Sequence, residues 1–443
     1  MTDPVPTLFR GGRIFDGRRF ALETDLRVAD GRIVELGGRL PVLLGEQVVD
    51  LAGRWLLPGL VDCHVHFREP GLVRKEGYAT GSAGALHGGV TSVLEIQNNP
   101  PLMETRQLLE RKIESLRGVS RVDFAPYGSL TLASLPHLAE IAPRVAAVKC
   151  FLGCSTGAGG VETEAEMRRL FSGAAGAGVK IVAHCEDNRV MARAAAAATP
   201  EQAARHDLLR PVEAEVESVR DAIRVAGEVG AVLHVFHLST AEGGRLVAAA
   251  AAAGQAVTGT TAPHYLLVTH EDAIRAPENR FKVNPSIKSA ANGEVLRRLL
   301  ADGALQGVGT DHAPHPLAEK ARPYSKAPSG FPSIDLLLPL LVAVHDRHGL
   351  PLERALEAVT RAPAEEFGLH RKGRLETGAD ADLVIADPDL RRQVDEAALP
   401  SKSKWSPYHG WELRAFPQRV FLRGVEVFRD GRVVGAARGE PLC

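Results

Sequence analysis

The chain has 443 residues, enough for one large enzymatic domain and a smaller companion. Its 45% apolar and 24% charged residues are those of an ordinary globular protein. A formal net charge of −1 with no basic block argues against nucleic acid or an acidic membrane as the main partner, and leaves a small molecule as the expected one.

The start, MTDPVPTLFRGGRIFDG, has no basic segment followed by an apolar core, and no apolar run reaches the ~18 residues of a spanning helix. Neither a signal peptide nor a membrane anchor is expected, and the location read from the sequence is cytoplasmic. RIFDGRRF and LRVADGRIVEL alternate as short strands broken by the hairpin signals Asp16-Gly17 and Asp30-Gly31. At the other end, ADLVIAD (381–387) reads as a strand and RVFLRGVEVFRDGRVVG (419–435) as a hairpin around Asp430-Gly431. Two strand-rich ends around a long middle predict a small β-sandwich domain built from both, residues 1–57 and 369–443, flanking a central domain at 58–368.

That middle alternates strand and helix. Strand candidates are 55–65, 91–97, 121–129, 145–152, 179–185, 231–238, 255–262 and 305–311, with helices at 104–117, 163–177, 213–229, 241–253 and 292–301. An open doubly wound sheet gives the same alternation, but the count of eight and the residues at the strand ends favour an α/β fold of the (β/α)8 TIM-barrel type. The Ala-rich runs at 194–198 and 248–253 are helix formers without further meaning. Five cysteines (Cys63, Cys150, Cys154, Cys185, Cys443) are odd in number and lack metal or redox spacing, so they read as small packing residues.

Barrel enzymes carry their chemistry at the C-terminal ends of the strands. Strand 1 ends in His64-Val65-His66, whose i, i+2 spacing turns both rings to one side. Strand 4 holds Lys149 among apolar neighbours, where a free ammonium is costly unless it snorkels to the barrel mouth. Strands 5, 6 and 8 end in His184, His237 and Asp311. Each residue alone is more often structural; four histidines, an aspartate and a lysine on one barrel face together suit a borderline metal such as zinc. A lysine that has reacted with carbon dioxide is a carbamate, an anionic ligand able to bridge two metals.

VDCHVHFREPG (61–71), VKCFLGCSTG (148–157), VAHCEDN (182–188), LHVFHLSTAEG (233–243), FKVNPSIK (281–288) and GTDHAPH (309–315) resemble the motif series of dihydroorotases and related metal-dependent cyclic amidohydrolases, over almost the whole chain. The resemblance implies that His64, His66 and Asp311 hold one metal, His184 and His237 a second, and carbamylated Lys149 bridges them. It also implies that Asp311 is the general acid/base. Many dihydroorotases of the Bacillus type carry an aspartate bridge instead, so Lys149 points to another branch or to allantoinase.

Substrate contacts implied by the same motifs are His66, Arg68, Asn98, Asn284, His315, Ser329 and Gly330. Arg68 suits the ring carboxylate of dihydroorotate; its bland reading is a surface arginine paired with Glu69 or Glu76. IQNNPP (96–101) departs from the usual motif and leaves Asn98 and Asn99 hard to tell apart, while KEGYATG (75–81) and WSPYHG (405–410) are similar to allantoinase segments. The favoured reading is a dihydroorotase, closing N-carbamoyl-L-aspartate reversibly to L-dihydroorotate in pyrimidine synthesis. The alternatives are an allantoinase or hydantoinase, and a non-catalytic scaffold of the dihydroorotase type. A homo-oligomer and an association with aspartate transcarbamoylase stay open. The loop at 315–330, rich in Pro and Gly, is expected to order over bound substrate.

Overall fold

The computed structural model describes residues 5–21, 23–155 and 160–442. Cys443, residues 1–4 of the start and residues 156–157 of the strand-4 motif lie outside them. Eight barrel strands follow in order: Leu60–Val65, Val90–Glu95, Asp123–Pro126, Val148–Leu152, Ile181–Cys185, Leu233–Val235, Val257–Thr261 and Gly307–Val308. Neighbours pair in parallel, strand 4 through Gly128–Ser129, which continues strand 3. The ring closes between strands 8 and 1, where Val65 bridges His312 and the His66 N–H donates to His312 O at 2.8 Å. This is the barrel rather than the open sheet.

Helices lie where the periodicity places them. Thr105, Thr163 and Thr240 accept backbone N–H groups at the starts of Arg106–Leu116, Glu164–Gly176 and Ala241–Ala252, satisfying donors that have no intrahelical partner. Gly230, in the left-handed conformation, ends Val212–Val229. Among the described residues no helix is long and apolar enough to cross a membrane.

The segment 55–65 divides. Trp55–Pro58 pairs with Arg13–Phe15 and Leu383–Ala386, and the barrel begins at Leu60. Gly59 is the joint: a Cβ there would lie 2.1 Å from Thr91 Oγ1, and its N–H donates to Asp382 O at 2.7 Å. The two chain ends form a four-stranded and a seven-stranded sheet. Phe9, Ile14, Leu26, Ile33, Leu56, Leu383, Ile385 and Phe421 pack in one core there, with the Phe9 and Phe421 rings edge to face at 5.3 Å. The C-terminal stretch holds two turns, not one: Arg423-Gly424 joins Pro417–Leu422 to Val425–Arg429, and Asp430-Gly431 follows. Arg423 tolerates a φ of 47° because Asp382 accepts its backbone N–H at 2.8 Å and Asp123 binds its guanidinium at 2.6 Å.

Beside that turn the end sheets meet the barrel through a buried cation. Lys372 Nζ lies 2.5 Å from Asp123 at the start of strand 3, and 2.8 Å from both Asp380 and Asp382. The carboxylates hold its pKa well above the ordinary lysine value against the opposing effect of burial. Lys372→Met should cost roughly 3 kcal/mol or more in chemical denaturation, because it strands buried carboxylates without their countercharge. An unchanged denaturation midpoint would show that Arg423 alone neutralises the cluster.

Candidate active site

At the C-terminal mouth, His64, His66, Arg68, Asn98, Lys149, His184, His237, Asn284, Asp311, Ser329 and Gly330 line a single small cavity. His315 is the exception. It sits behind Ser329–Gly330, its Nε2 3.1 Å from Ser329 O, and does not line the cavity.

Strand 1 turns Asp62 and His64 to one side, with His66 just beyond. Asp62 accepts the Thr310 N–H at 3.0 Å, the Thr310 hydroxyl at 2.5 Å and the His64 N–H at 3.2 Å, stitching strand 1 to strand 8. Burial raises its pKa to about 6. This brings Asp311 Oδ1 to 3.3 Å from His64 Nε2 and 3.4 Å from His66 Nε2. His66 Nδ1 donates to Ile96 O at 3.0 Å, which leaves Nε2 with a free lone pair. Burial holds both rings neutral, His64 far below its usual range and His66 at about 4. Neutral nitrogens and a carboxylate about 3.3 Å apart are what one ion with bonds of ~2.0–2.2 Å requires, and these three residues form a group able to hold a metal ion.

A second pair stands opposite. His184 Nε2 donates to Glu186 Oε2 at 3.0 Å, so its Nδ1 faces His237 Nε2, 3.1 Å away, as a lone pair. Glu186 is in turn bound by Arg210, which also donates to Cys154 O at 2.9 Å. The loop carrying His237 is fixed by buried Glu215, which accepts the Ser239 and Thr240 N–H groups at 3.0 and 2.9 Å and both hydroxyls. Sequence reading missed Glu186, Arg210 and Glu215. Only Glu186 left a signal, two residues past His184 and just beyond the strand end.

Lys149 does not snorkel; it is 4% exposed. Its Nζ has no hydrogen-bond partner among the described residues and sits 4.8 and 4.9 Å from the Phe151 and Phe236 ring centres. Burial pulls its pKa to about 8. A lysine so placed is a poor ammonium and a good amine, which fits conversion to a carbamate.

Arg68 is buried at a φ of 66°; His237 and Asp311 also have positive φ. Its Nη1 donates to Asn98 Oδ1 at 2.7 Å, while Asn99 turns away and donates to Pro70 O at 2.8 Å, which separates the two asparagines. Neither Glu69 nor Glu76 pairs with it: Glu69 accepts the Tyr78 N–H, and Glu76 binds Ser401. Lys75 donates to His315 Nδ1 at 2.8 Å, so His315 Nε2 carries the proton that Ser329 O accepts. The 3.4 Å approach of Arg68 Nη2 to that nitrogen is therefore donor against donor. Arg68 Nε has no partner among the described residues, and burial lowers the pKa of the group to about 10.

The loop after strand 8 is already tied down. Lys320 donates to Lys282 O and Pro328 O at 2.9 and 3.0 Å, and Lys282 to Tyr324 O and Ala327 O at 2.7 and 2.6 Å. From the C-terminal segment, Trp405 donates to His315 O at 2.7 Å. The two segments similar to those of allantoinases thus brace the same loop from behind rather than line the cavity.

A barrel whose strand ends gather histidines and an aspartate around a buried lysine, with an end domain built from both chain termini, is the architecture of the amidohydrolase family. The chain belongs to that family, whose model matches residues 55–427. It is 37% identical to a dihydroorotase of Halobacterium salinarum, over 94% of this chain and 98% of the relative, and 33% identical to a dihydroorotase of Bacillus caldolyticus, over 96% and 99%. Among solved structures, an L-hydantoinase (dihydropyrimidinase) from Arthrobacter aurescens superposes with a TM-score of 0.91 at 27% identity, covering 98% of both chains. A D-hydantoinase from a Thermus species gives 0.88 at 28% identity, again over 98% of both.

Proposed function

We propose that this enzyme is a dihydroorotase, opening L-dihydroorotate to N-carbamoyl-L-aspartate and closing it again. The observation that carries the substrate is Arg68: a buried guanidinium beside the metal-type ligands with one side-chain acceptor, Asn98, and donors to spare. A ring carboxylate supplies the missing acceptors and countercharge; neutral hydantoin or allantoin supplies no charge.

His64, His66 and Asp311 would hold one divalent cation and His184 and His237 a second, with Lys149, as a carbamate, supplying an anionic ligand between the two groups. When bound, the cations, zinc by the softness of the ligands, furnish a nucleophile from water at neutral pH and polarise the ring carbonyl. Arg68 and Asn98 seat the carboxylate, and Asn284 with the Ser329–Gly330 backbone faces the rest of the ring. Asp311 takes the proton of the attacking water and returns it to the amide nitrogen as the C–N bond breaks. Ring closure runs the same transfers backwards. Glu186 and Arg210 hold His184 in the tautomer that leaves Nδ1 to the metal.

Purified protein assayed on dihydroorotate, allantoin and hydantoin side by side tests the assignment, with dihydroorotate expected to turn over fastest. Faster allantoin turnover would overturn the substrate and leave the metal chemistry standing. Elemental analysis should find two divalent ions per chain, and strong chelators should abolish activity; activity that survives complete metal removal would sink the metal site.

A further inference from the structure

Asn284 lines the cavity, but what it presents there is decided by a residue outside it. His206, at the start of the short helix His206–Leu209 after strand 5, places Nε2 2.9 Å from Val283 O and 3.0 Å from Asn284 Oδ1. Its Nδ1 meets the hydroxyl of Tyr324, in the loop after strand 8. Desolvation, with Arg210 and Lys282 adding to it, keeps the ring neutral far below the usual imidazole range. A neutral ring has one proton, and a backbone carbonyl can only accept. Val283 O therefore puts the proton on Nε2. Only an acceptor of Asn284 can share that nitrogen, so its Oδ1 turns to His206 and its amide N–H groups are left for the cavity. Nδ1, unprotonated, accepts from Tyr324.

We infer that His206 is a positioning residue: it fixes Asn284 as a hydrogen-bond donor and so requires an acceptor, a carbonyl or carboxylate oxygen, on the substrate edge that faces it. Three loops meet in this one ring, after strands 5, 7 and 8. Lys282 secures the third loop through Tyr324 O and Ala327 O. The inference rests on the proposed contact of Asn284 with the substrate.

The metal-loaded enzyme provides the test. His206→Gln keeps an N–H near the Nε2 position; His206→Asn keeps an acceptor near Nδ1 for Tyr324 but no donor to Asn284. His206→Asn should raise KM about tenfold with kcat within about twofold, and His206→Gln should restore most of the loss, as for one hydrogen bond. The double variant His206→Asn/Asn284→Ala should bind no more weakly than Asn284→Ala alone. An unchanged KM in His206→Asn, or losses that multiply in the double variant, would overturn the inference. In the wild-type protein, ¹⁵N-histidine NMR, assigned by difference against His206→Gln, should show Nε2 protonated and Nδ1 bare; the opposite tautomer overturns it without relying on the folding of His206→Asn. If the wild type prefers a different ring, the dihydroorotate reading fails, and the same cycle run on the preferred ring still decides the role of His206.

Discussion

Arg68→Met should lower kcat/KM for dihydroorotate by roughly two to three orders of magnitude, equivalent to ~3–4 kcal/mol of lost binding to a charged group. Methionine keeps most of the buried volume, so the loss reads the charge rather than a cavity. Asn98 Oδ1 loses its donor in the same change, which adds to the cost. Hydantoin turnover, where measurable, should fall far less, because that ring has no carboxylate to lose. Equal losses on charged and uncharged rings would mean that Arg68 holds the turn at 68–71 together and reads nothing.

If Lys149 carries the proposed carbamate, Lys149→Ala should reduce activity on the order of a thousandfold or more and cost the protein bound metal, because it removes the anion that both half-sites would share. Lys149→Met is the companion variant: it fills the space beside Phe151 and Phe236 and should be equally inactive. A small carboxylate such as acetate should partly restore metal content and turnover in the alanine variant, where there is room for it, and not in the methionine variant. An alanine variant with full metal content and wild-type rate would exclude the bridge.

Much of this architecture was legible because period and punctuation agree. Strand runs, helical stretches and Asp-Gly turns place the barrel and the end sheets within a few residues, and the i, i+2 histidines mark the group able to hold a metal ion. Other features were not legible. The joint at Gly59 depends on how closely Thr91 approaches, a tertiary fact. The turn at Arg423 breaks the local rule that a positive φ wants glycine or asparagine, and it survives because Asp382 and Asp123, distant in sequence, hold it. Glu215 and His206 carry no local pattern at all, since each acts on a loop from another strand. His315 stands behind Ser329–Gly330 rather than on the cavity wall. Its motif marks the right neighbourhood, but Lys75, Ser329 O and Trp405 occupy its ring and backbone, and only the packing reveals that.

The seam where the barrel closes has a consequence for assembly. Strand 8 contributes only Gly307–Val308 as regular sheet, and beyond it strands 1 and 8 are joined by Asp62 with Thr310 and by His66 with His312. His64 comes from the first barrel strand, His66 from just past its end and Asp311 from just past the last. On the proposed metal reading this half-site is a clasp on the ring: it exists only when the two ends of the barrel have met, so ion binding there and closure would be linked equilibria. The His184–His237 pair belongs to adjacent strands in the middle of the chain and needs no such closure. In a chain opening under denaturant, the ion at the clasp should be the first to leave, and adding metal should resist opening along this seam before any other.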